Sequence, residues 1–237
     1  MPKKYIYLIV TYCFMQLSGV IVAPLVYFTE INELTALVGW TIFSFAVALI
    51  VSLYLLREEW KSFFSLREKK IGSIILWSVL GFILVFIGQI ISSVIETFVF
   101  NIPPGSENTL MLTKVARQAP IFIIIISVLG PILEELVFRK AIFGTLYKRM
   151  NFFFAAIISG VMFALIHMDF NHILTYTVVG MVFAFLYVET KRIIVPIIAH
   201  MAINTYAVIG QLSIDPEEID KMLDQLENLQ LIIIGGI

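Results

Sequence analysis

Two adjacent glutamates, Glu134 and Glu135, stand inside a largely apolar stretch of the chain. A charged side chain at the centre of a membrane-spanning helix costs about 2.5–3.5 kcal/mol on insertion scales, so ionisable groups at that depth usually have a partner or a task. Arg139 follows Glu135 by four residues, and residues four apart share one face of a helix. This spacing predicts a Glu135–Arg139 ion pair and leaves Glu134, which has no cation three or four residues away, available for chemistry.

Two of the three histidines also lie in apolar segments. His167 comes four residues after Phe163, and His200 comes four residues before Asn204. The second spacing puts an imidazole and a carboxamide on one helix face. A glutamate and a histidine that face one cavity can hold and deprotonate a water, while a second histidine and an amide can stabilise an oxyanion. These residues therefore predict amide hydrolysis without a serine or cysteine nucleophile.

A metal-dependent route uses the same residues. Glutamate and histidine bind zinc, and a catalytic zinc site keeps one position open for water. Glu134, His167 and His200 are therefore candidate ligands of a divalent metal such as zinc, although the H-E-x-x-H pattern of soluble zinc proteases is absent. The single cysteine, Cys13, excludes an intramolecular disulfide and a cysteine-based zinc site.

The composition is that of a membrane protein. Hydrophobic residues make up 60% of the 237 and charged residues 14%, whereas soluble domains have about 45–50% apolar and about 25% charged residues. We therefore predict an all-α polytopic membrane protein. No basic patch alternates with aromatic residues, so nucleic acid is not an expected partner.

Seven segments approach the length of about 20 residues that a membrane-spanning helix needs. They are residues 5–28, 34–56, 71–95, 120–138, 152–168, 172–188 and 193–211. We predict three parts: residues 1–110 with the first three helices, residues 111–211 as a catalytic core of four helices, and residues 212–237 as an amphipathic tail. The apolar end of the tail, residues 229–237, could begin an eighth span.

The positive charges predict an orientation with the N-terminus in the cytoplasm. Thirteen of the 16 Lys and Arg residues then lie in inner segments, and the three outer ones are Lys114, Arg117 and Lys221. Residues 101–119, which carry the turn signal Pro103-Pro104-Gly105, are expected to form an outer loop. The segment from Asp215 onward is expected to start a short outer helix, with Asp215 as its cap.

Depth along the spans predicts where the polar groups lie. Glu134 and His200 both fall in the inner half of the membrane, which favours a cavity that opens toward the cytoplasmic half. His167 falls near the outer end of its span, so a single site requires the short fifth and sixth spans to end below the outer surface or to tilt. Glu96 and His172 are expected to be interfacial residues.

Three patterns on separate spans carry a family resemblance: Glu-Glu-x-x-x-Arg, Phe-x-x-x-His and His-x-x-x-Asn, in that order. They resemble the CPBP family, which comprises the type II CAAX prenyl endopeptidases and their bacteriocin-processing relatives, over roughly residues 120–206. The resemblance implies that Glu134 and His167 activate a water, and that His200 and Asn204 stabilise the oxyanion. The other matching positions would support the site: Glu135, Arg139 and Phe163.

The resemblance implies an intramembrane endopeptidase, glutamic or metal-dependent, in a bacterial cytoplasmic membrane. Its partners would be membrane lipid and a hydrophobic or membrane-anchored peptide, as in the maturation of peptide pheromones or bacteriocins. Two other functions stay open from the residues alone. One is a non-catalytic membrane regulator or scaffold of the same fold, and the other is a proton- or metal-coupled transporter, which predicts an internal symmetry that the sequence lacks.

Overall fold

The computed structural model describes residues 1–59 and 71–224, which fold into helices and turns without a strand in either range. In chain order the helices are α1 (Lys3–Thr29), α2 (Glu33–Leu55), α3 (Ile71–Phe100), α4 (Glu107–Gln118), α5 (Pro120–Leu146), α6 (Phe152–Leu165), α7 (Phe170–Thr190) and α8 (Ile194–Leu212). A last helix, α9, begins at residue 216 and is described as far as residue 224. The prediction of an all-α polytopic membrane protein is confirmed, and the apolar tail at residues 229–237 lies outside the described residues.

Six of the described helices are long and apolar enough to cross a membrane: α1, α2, α3, α5, α7 and α8. The sequence predicted seven spans, the fifth of them over residues 152–168, but the helix in that region, α6, ends at Leu165 after 14 residues. Fourteen residues extend about 21 Å, whereas the hydrocarbon core is about 30 Å thick. The α6–α7 hairpin therefore turns back sooner than the apolar pattern indicated.

The segment between α3 and α5 contains a helix where a loop was expected. Ser106 caps α4 by accepting a hydrogen bond from the Thr109 amide at 3.2 Å. The buried Leu110 of α4 packs against Ile219 and Leu223 of α9. The predicted domain boundary at residue 110 falls inside this helix, and the three-part division stays a prediction.

The bundle has two chemically different ends. At the basic end, where α1, α3, α6 and α8 begin, Glu59 pairs with Lys4 and Lys140, each at 2.7 Å. At the opposite end, called the α4 end, Arg117 donates a hydrogen bond to the Gln211 carbonyl at 2.8 Å. Among the described residues, the Lys and Arg side chains outside the core belong to the basic end except three at the α4 end: Lys114, Arg117 and Lys221.

Helix α5, which carries the two adjacent glutamates, is the most enclosed of the six long helices. In its most apolar stretch 56% of residues are buried, compared with 17–39% in the other five. Beside it, α6 and α7 cross closely at Gly160 and Gly180, where a Cβ on Gly180 would lie 2.8 Å from the Gly160 Cα. Small residues permit this approach between membrane helices. This close packing of α6 against α7 determines where the turn between them places His167.

Candidate active site

A cavity of about 410 Å³ inside the bundle brings together the residues predicted to be catalytic. Its lining includes Glu134 from α5, His167 from the turn after α6, and His200 and Asn204 from α8, together with Phe163. Helices α1 and α2, for which the sequence predicted only topology, form another wall: Met15, Gln16, Gly19, Trp40, Thr41, Ser44 and Phe45. The patterns that are widely separated in sequence thus converge on one space.

Glu134 faces this cavity with a side chain that is 15% exposed. Its Oε2 lies 3.6 Å from His200 Nε2, which is longer than a hydrogen bond. The carboxylate therefore has room to accept a hydrogen bond from a water or a ligand in the cavity.

Glu135 points away from the cavity and confirms the predicted ion pair. Its Oε2 lies 3.2 Å from Arg139 Nε, and both side chains are fully buried. The Arg139 guanidinium stands over the rings of Phe163 at 4.5 Å and Phe183 at 5.2 Å, an arrangement that stabilises a desolvated cation. Glu135 Oε1 also accepts a hydrogen bond from His200 Nδ1 at 2.9 Å. The buried pair thus orients the imidazole that faces Glu134.

His167 lies in the turn that follows α6. Its Nδ1 is 2.8 Å from the Phe163 carbonyl; because a carbonyl only accepts, Nδ1 carries the hydrogen and the neutral ring keeps a lone pair on Nε2. The ring stacks on Tyr176 with centroids 4.2 Å apart. A full-length span would have placed His167 near the membrane surface. Because α6 already ends at Leu165, the turn that follows brings His167 to the cavity instead.

Asn204 lines the cavity from α8, one turn beyond His200. Its Nδ2 donates a hydrogen bond to the Ile126 carbonyl at 3.0 Å, and the amide has a second N–H that can serve a ligand. Ile126 belongs to a π-helical turn, Ile125–Leu129, and α5 is π-helical again over Glu135–Phe143. Such widened turns occur often at functional sites.

A second buried polar cluster lies at the α4 end, where the sequence predicted interfacial residues. Glu96 is 1% exposed, and its carboxylate accepts hydrogen bonds from the Thr175 amide at 3.0 Å and from His172 Nδ1 at 2.9 Å. His172 Nε2 lies 2.9 Å from the Gly105 carbonyl. Glu96 and His172 are thus bonded to each other inside the protein, and their interfacial depth stays a prediction. The available clue was a glutamate and a histidine near the same predicted membrane face.

A further cavity of about 280 Å³, called the vestibule, continues from the first toward the α4 end. The two share lining residues that include Gln89, His167 and Asn204. The polar side chains that complete the vestibule come mainly from α3 and α4: Ser93, Glu96, Ser106, Asn108, Thr109 and Thr113. The cavity therefore extends away from the basic end, and in the predicted orientation this differs from the expected opening toward the cytoplasmic half.

The candidate metal ligands do not form a zinc site in this geometry. Within residues 1–59 and 71–224, no three His, Cys, Asp or Glu side chains are grouped as metal ligands would be. His200 directs Nδ1 at Glu135 and His167 directs Nδ1 at a backbone carbonyl, contacts that occupy Nδ1 and leave Nε2 as the nitrogen that a metal would take. Glu134, His167 and His200 share a cavity, and their role as metal ligands stays a prediction.

Comparison with known proteins identifies the family. A family model described as "Type II CAAX prenyl endopeptidase Rce1-like" matches residues 116–206, which include every predicted site residue. The whole chain aligns at 43% identity over 246 positions with Bacillus subtilis YdiL, whose name assigns it provisionally to the membrane peptidases, and covers 99% of that protein. The chain belongs to the type II CAAX prenyl endopeptidase (CPBP) family.

A second relative of this CAAX protease family agrees with the assignment. The Staphylococcus aureus membrane-embedded CAAX protease MroQ is 36% identical over 228 residues, which are 93% of this chain and 88% of MroQ. No solved structure matches the chain. The family resemblance seen in the three motifs is thus confirmed, and the protein is a multi-pass CAAX-type protease of the cell membrane.

Proposed function

We propose that the protein is an intramembrane endopeptidase in which Glu134 and His167 activate the water that cleaves a hydrophobic or membrane-associated peptide. The observation that carries the proposal is the shared cavity: side chains from α5, the α6–α7 turn and α8 all face it. Glu134 is suited to act as the general base, because its carboxylate faces the cavity and its contact with His200 is 3.6 Å long.

In the first step a water lies between the Glu134 carboxylate and His167 Nε2. Glu134 takes one proton, and the lone pair on Nε2 accepts a hydrogen bond from the other hydrogen. The water oxygen forms a bond to the peptide carbonyl carbon, and the carbonyl electrons move to its oxygen. General-base assistance of this kind contributes about 10²–10⁴-fold to the rate.

Asn204 and His200 would stabilise the resulting oxyanion. Asn204 offers the N–H that Ile126 does not use, and His200 offers Nε2–H when both ring nitrogens are protonated. Carboxylates face both nitrogens, Glu135 at 2.9 Å from Nδ1 and Glu134 at 3.6 Å from Nε2. When His200 is protonated, the negative charges of Glu134 and Glu135 are balanced by the positive charges of His200 and Arg139. One oxyanion donor is typically worth about 10²–10³-fold in kcat.

The intermediate collapses when the carbonyl reforms and the C–N bond breaks. The proton held by Glu134 passes to the leaving nitrogen, so the site returns to its starting state and the products are a carboxylic acid and an amine, which become carboxylate and ammonium when the acid proton moves to the amine. Since the reaction consumes one water and one peptide bond, it needs no redox partner.

The test compares purified wild type with the Glu134→Ala and His167→Ala variants on a panel of internally quenched hydrophobic peptides. We expect both variants to lose at least about 100-fold in kcat/KM. Glu58→Gln is the matched control, because Glu58 is 78% exposed at the basic end. MroQ serves as the reference protease. Equal activity in wild type and both variants, or no cleavage by a folded wild type while MroQ cleaves, would favour the scaffold hypothesis instead.

Exhaustive chelation separates the two mechanistic routes. Full activity after chelation supports the water activated by Glu134 and His167. Loss of activity that zinc restores would contradict it and assign the three candidate ligands to a metal that draws them together.

A further inference from the structure

The vestibule adjoins the catalytic cavity and extends from it toward the α4 end of the bundle. It holds about 280 Å³ and shares His167 and Asn204 with the catalytic cavity. Its far wall includes Gly105 and Ser106, which precede α4, and Asn108 of α4 itself. These residues are half-buried, so the path from the glutamates leads out beside α4.

In the opposite direction the described side chains are closely packed. Below the catalytic glutamate, Leu136, Val137 and Phe143 are at most 2% exposed, and the Glu135–Arg139 pair is fully buried. A small cavity near the basic end, of about 20 Å³, shares no lining residue with the catalytic cavity or the vestibule. A peptide coming from the basic end would have to unpack the core of α5.

The vestibule has the chemistry of a peptide-binding surface. Its walls carry amides and hydroxyls, from Gln89, Ser93, Asn108 and Thr109, and these groups both donate and accept hydrogen bonds. A peptide backbone that leaves water needs such partners for its own N–H and C=O groups. The carboxylate in this wall, Glu96, has both oxygens occupied by hydrogen bonds from the protein, so it offers no strong site for a substrate cation.

Charge assigns the vestibule mouth to one side of the membrane. Of the 12 Lys and Arg residues that the structure describes, three lie at the α4 end, Arg139 lies in the core, and the other eight lie at the basic end. Basic residues are concentrated on the cytoplasmic side of bacterial membrane proteins. The α4 end, and with it the mouth of the vestibule, is therefore extracytoplasmic.

From these observations we infer that the substrate enters from the extracytoplasmic face, as an extended, uncharged polar segment of a secreted or membrane-anchored peptide that passes along the vestibule to Glu134. This inference rests on the proposed function for its catalytic part. It assigns Asn108 and Thr109 to the substrate path, and it predicts that the bond to be cut becomes available only after the peptide has reached the outer side of the membrane.

Thiol accessibility tests the path. In a Cys13→Ser background, which removes the natural cysteine, one cysteine is introduced at Asn108 in the vestibule. Two control positions are Glu218, which is exposed at the α4 end outside the vestibule lining, and Lys148, which is exposed at the basic end. Intact protoplasts are treated with a membrane-impermeant, charged methanethiosulfonate, and peptide hydrolysis is then measured in isolated membranes.

We expect cysteines at 108 and 218 to react in intact protoplasts and the cysteine at 148 to react only after permeabilisation. Hydrolysis should fall at least tenfold only for the labelled Asn108→Cys variant, relative to the same variant unlabelled, and a thiol reductant should restore it. Thr109→Cys repeats the measurement if Asn108→Cys does not fold.

Three results would overturn the inference: reaction at 148 but not at 108 in intact protoplasts, no reaction at 108 even after permeabilisation, or full hydrolysis after labelling at 108. The proposed function fails differently, through a folded wild type that cuts none of the peptides. In that case the labelling pattern still reports on which side the vestibule opens.

Discussion

Glu96 and Glu134 are both glutamates in apolar helices, but the protein surrounds them differently. In the outer cluster, formed by Glu96, His172, Thr175 and the Gly105 carbonyl, each Glu96 oxygen accepts hydrogen bonds of 2.8–3.0 Å. In the central cluster, formed by Glu134, Glu135, Arg139 and His200, Glu135 accepts a hydrogen bond from His200 on Oε1 and pairs with Arg139 through Oε2, whereas Glu134 has its His200 contact at 3.6 Å and faces a cavity.

The difference separates two uses of a buried carboxylate. A carboxylate whose oxygens are all bonded ties elements together, because its removal leaves buried donors without partners at a cost of about 1–3 kcal/mol each. A carboxylate that faces a cavity contributes little to packing and can act on a ligand. Thus Glu96 joins α3, α7 and the segment before α4, while Glu134 is held in place by the pair on its neighbour Glu135.

The largest expected effect is an opposite response of the two glutamates to the same isosteric change. Glu134→Gln should lower kcat/KM at least about 100-fold and leave the melting temperature nearly unchanged, since no short hydrogen bond is lost. Glu96→Gln should leave kcat within a few-fold and lower the melting temperature, because an amide cannot accept hydrogen bonds on both ends. Kinetics and thermal unfolding in detergent measure both. A Glu96→Gln protein with normal stability and no activity would place the outer cluster in the chemistry.

Breaking the pair inside the central cluster should give the largest loss of stability. Arg139→Met leaves the Glu135 carboxylate buried with its cation removed, and such a change typically costs about 3–5 kcal/mol. The Glu135→Gln, Arg139→Met double variant should recover part of that loss because it removes both charges, yet it should stay less active than wild type because His200 loses its carboxylate. Chemical denaturation compares the three proteins. A double variant less stable than Arg139→Met would contradict the ion-pair account.

The α6–α7 hairpin links the cavity that Glu134 faces to the outer cluster, since its turn carries His167 and the first turn of α7 carries His172. In Gly180→Ala the new Cβ would lie 2.8 Å from the Gly160 Cα, and overpacking of this kind costs about 1–3 kcal/mol. We expect a lower melting temperature together with reduced kcat. Gly39→Ala in α2 is the control, because nothing lies within 4 Å of its Cβ position. If both variants behave alike, the close crossing does not position His167.

Residues that interact along one helix or that form a short motif could be predicted from the sequence. Glu135 and Arg139 pair because four residues bring them to one face, and their pairing left Glu134 as the reactive candidate. Convergence of His167, His200 and Asn204 on the same cavity was implied by the family resemblance rather than by geometry, and the catalytic roles of these residues stay predictions.

The features that were missed depend on contacts between distant segments. Glu96 and His172 are 76 residues apart, so neither one alone distinguishes a buried pair from two interfacial residues. The end of α6 at Leu165 was missed because apolar residues continue beyond it, and hydropathy does not report where a helix stops. The direction of the cavity follows from how α3 and α4 pack, which no local pattern encodes.

Glu59 extends the comparison to a carboxylate at the aqueous basic end, where the smallest effect is expected. Burial raises the pKa of its carboxyl, but hydrogen bonds and charge from Lys140 and Lys4 outweigh burial, and the pKa lies below its usual value. A carboxyl with a depressed pKa contributes stability above its unfolded-state pKa and loses that contribution as pH falls through the folded-state value. Water screens this cluster, so the contribution should be at most about 1 kcal/mol.

The melting temperature of wild type should therefore exceed that of Glu59→Gln near pH 7, and the difference should vanish as the pH falls below the usual carboxyl range. A difference that persists or grows in acid would mean that Glu59 acts through packing, as Glu96 does, rather than through charge.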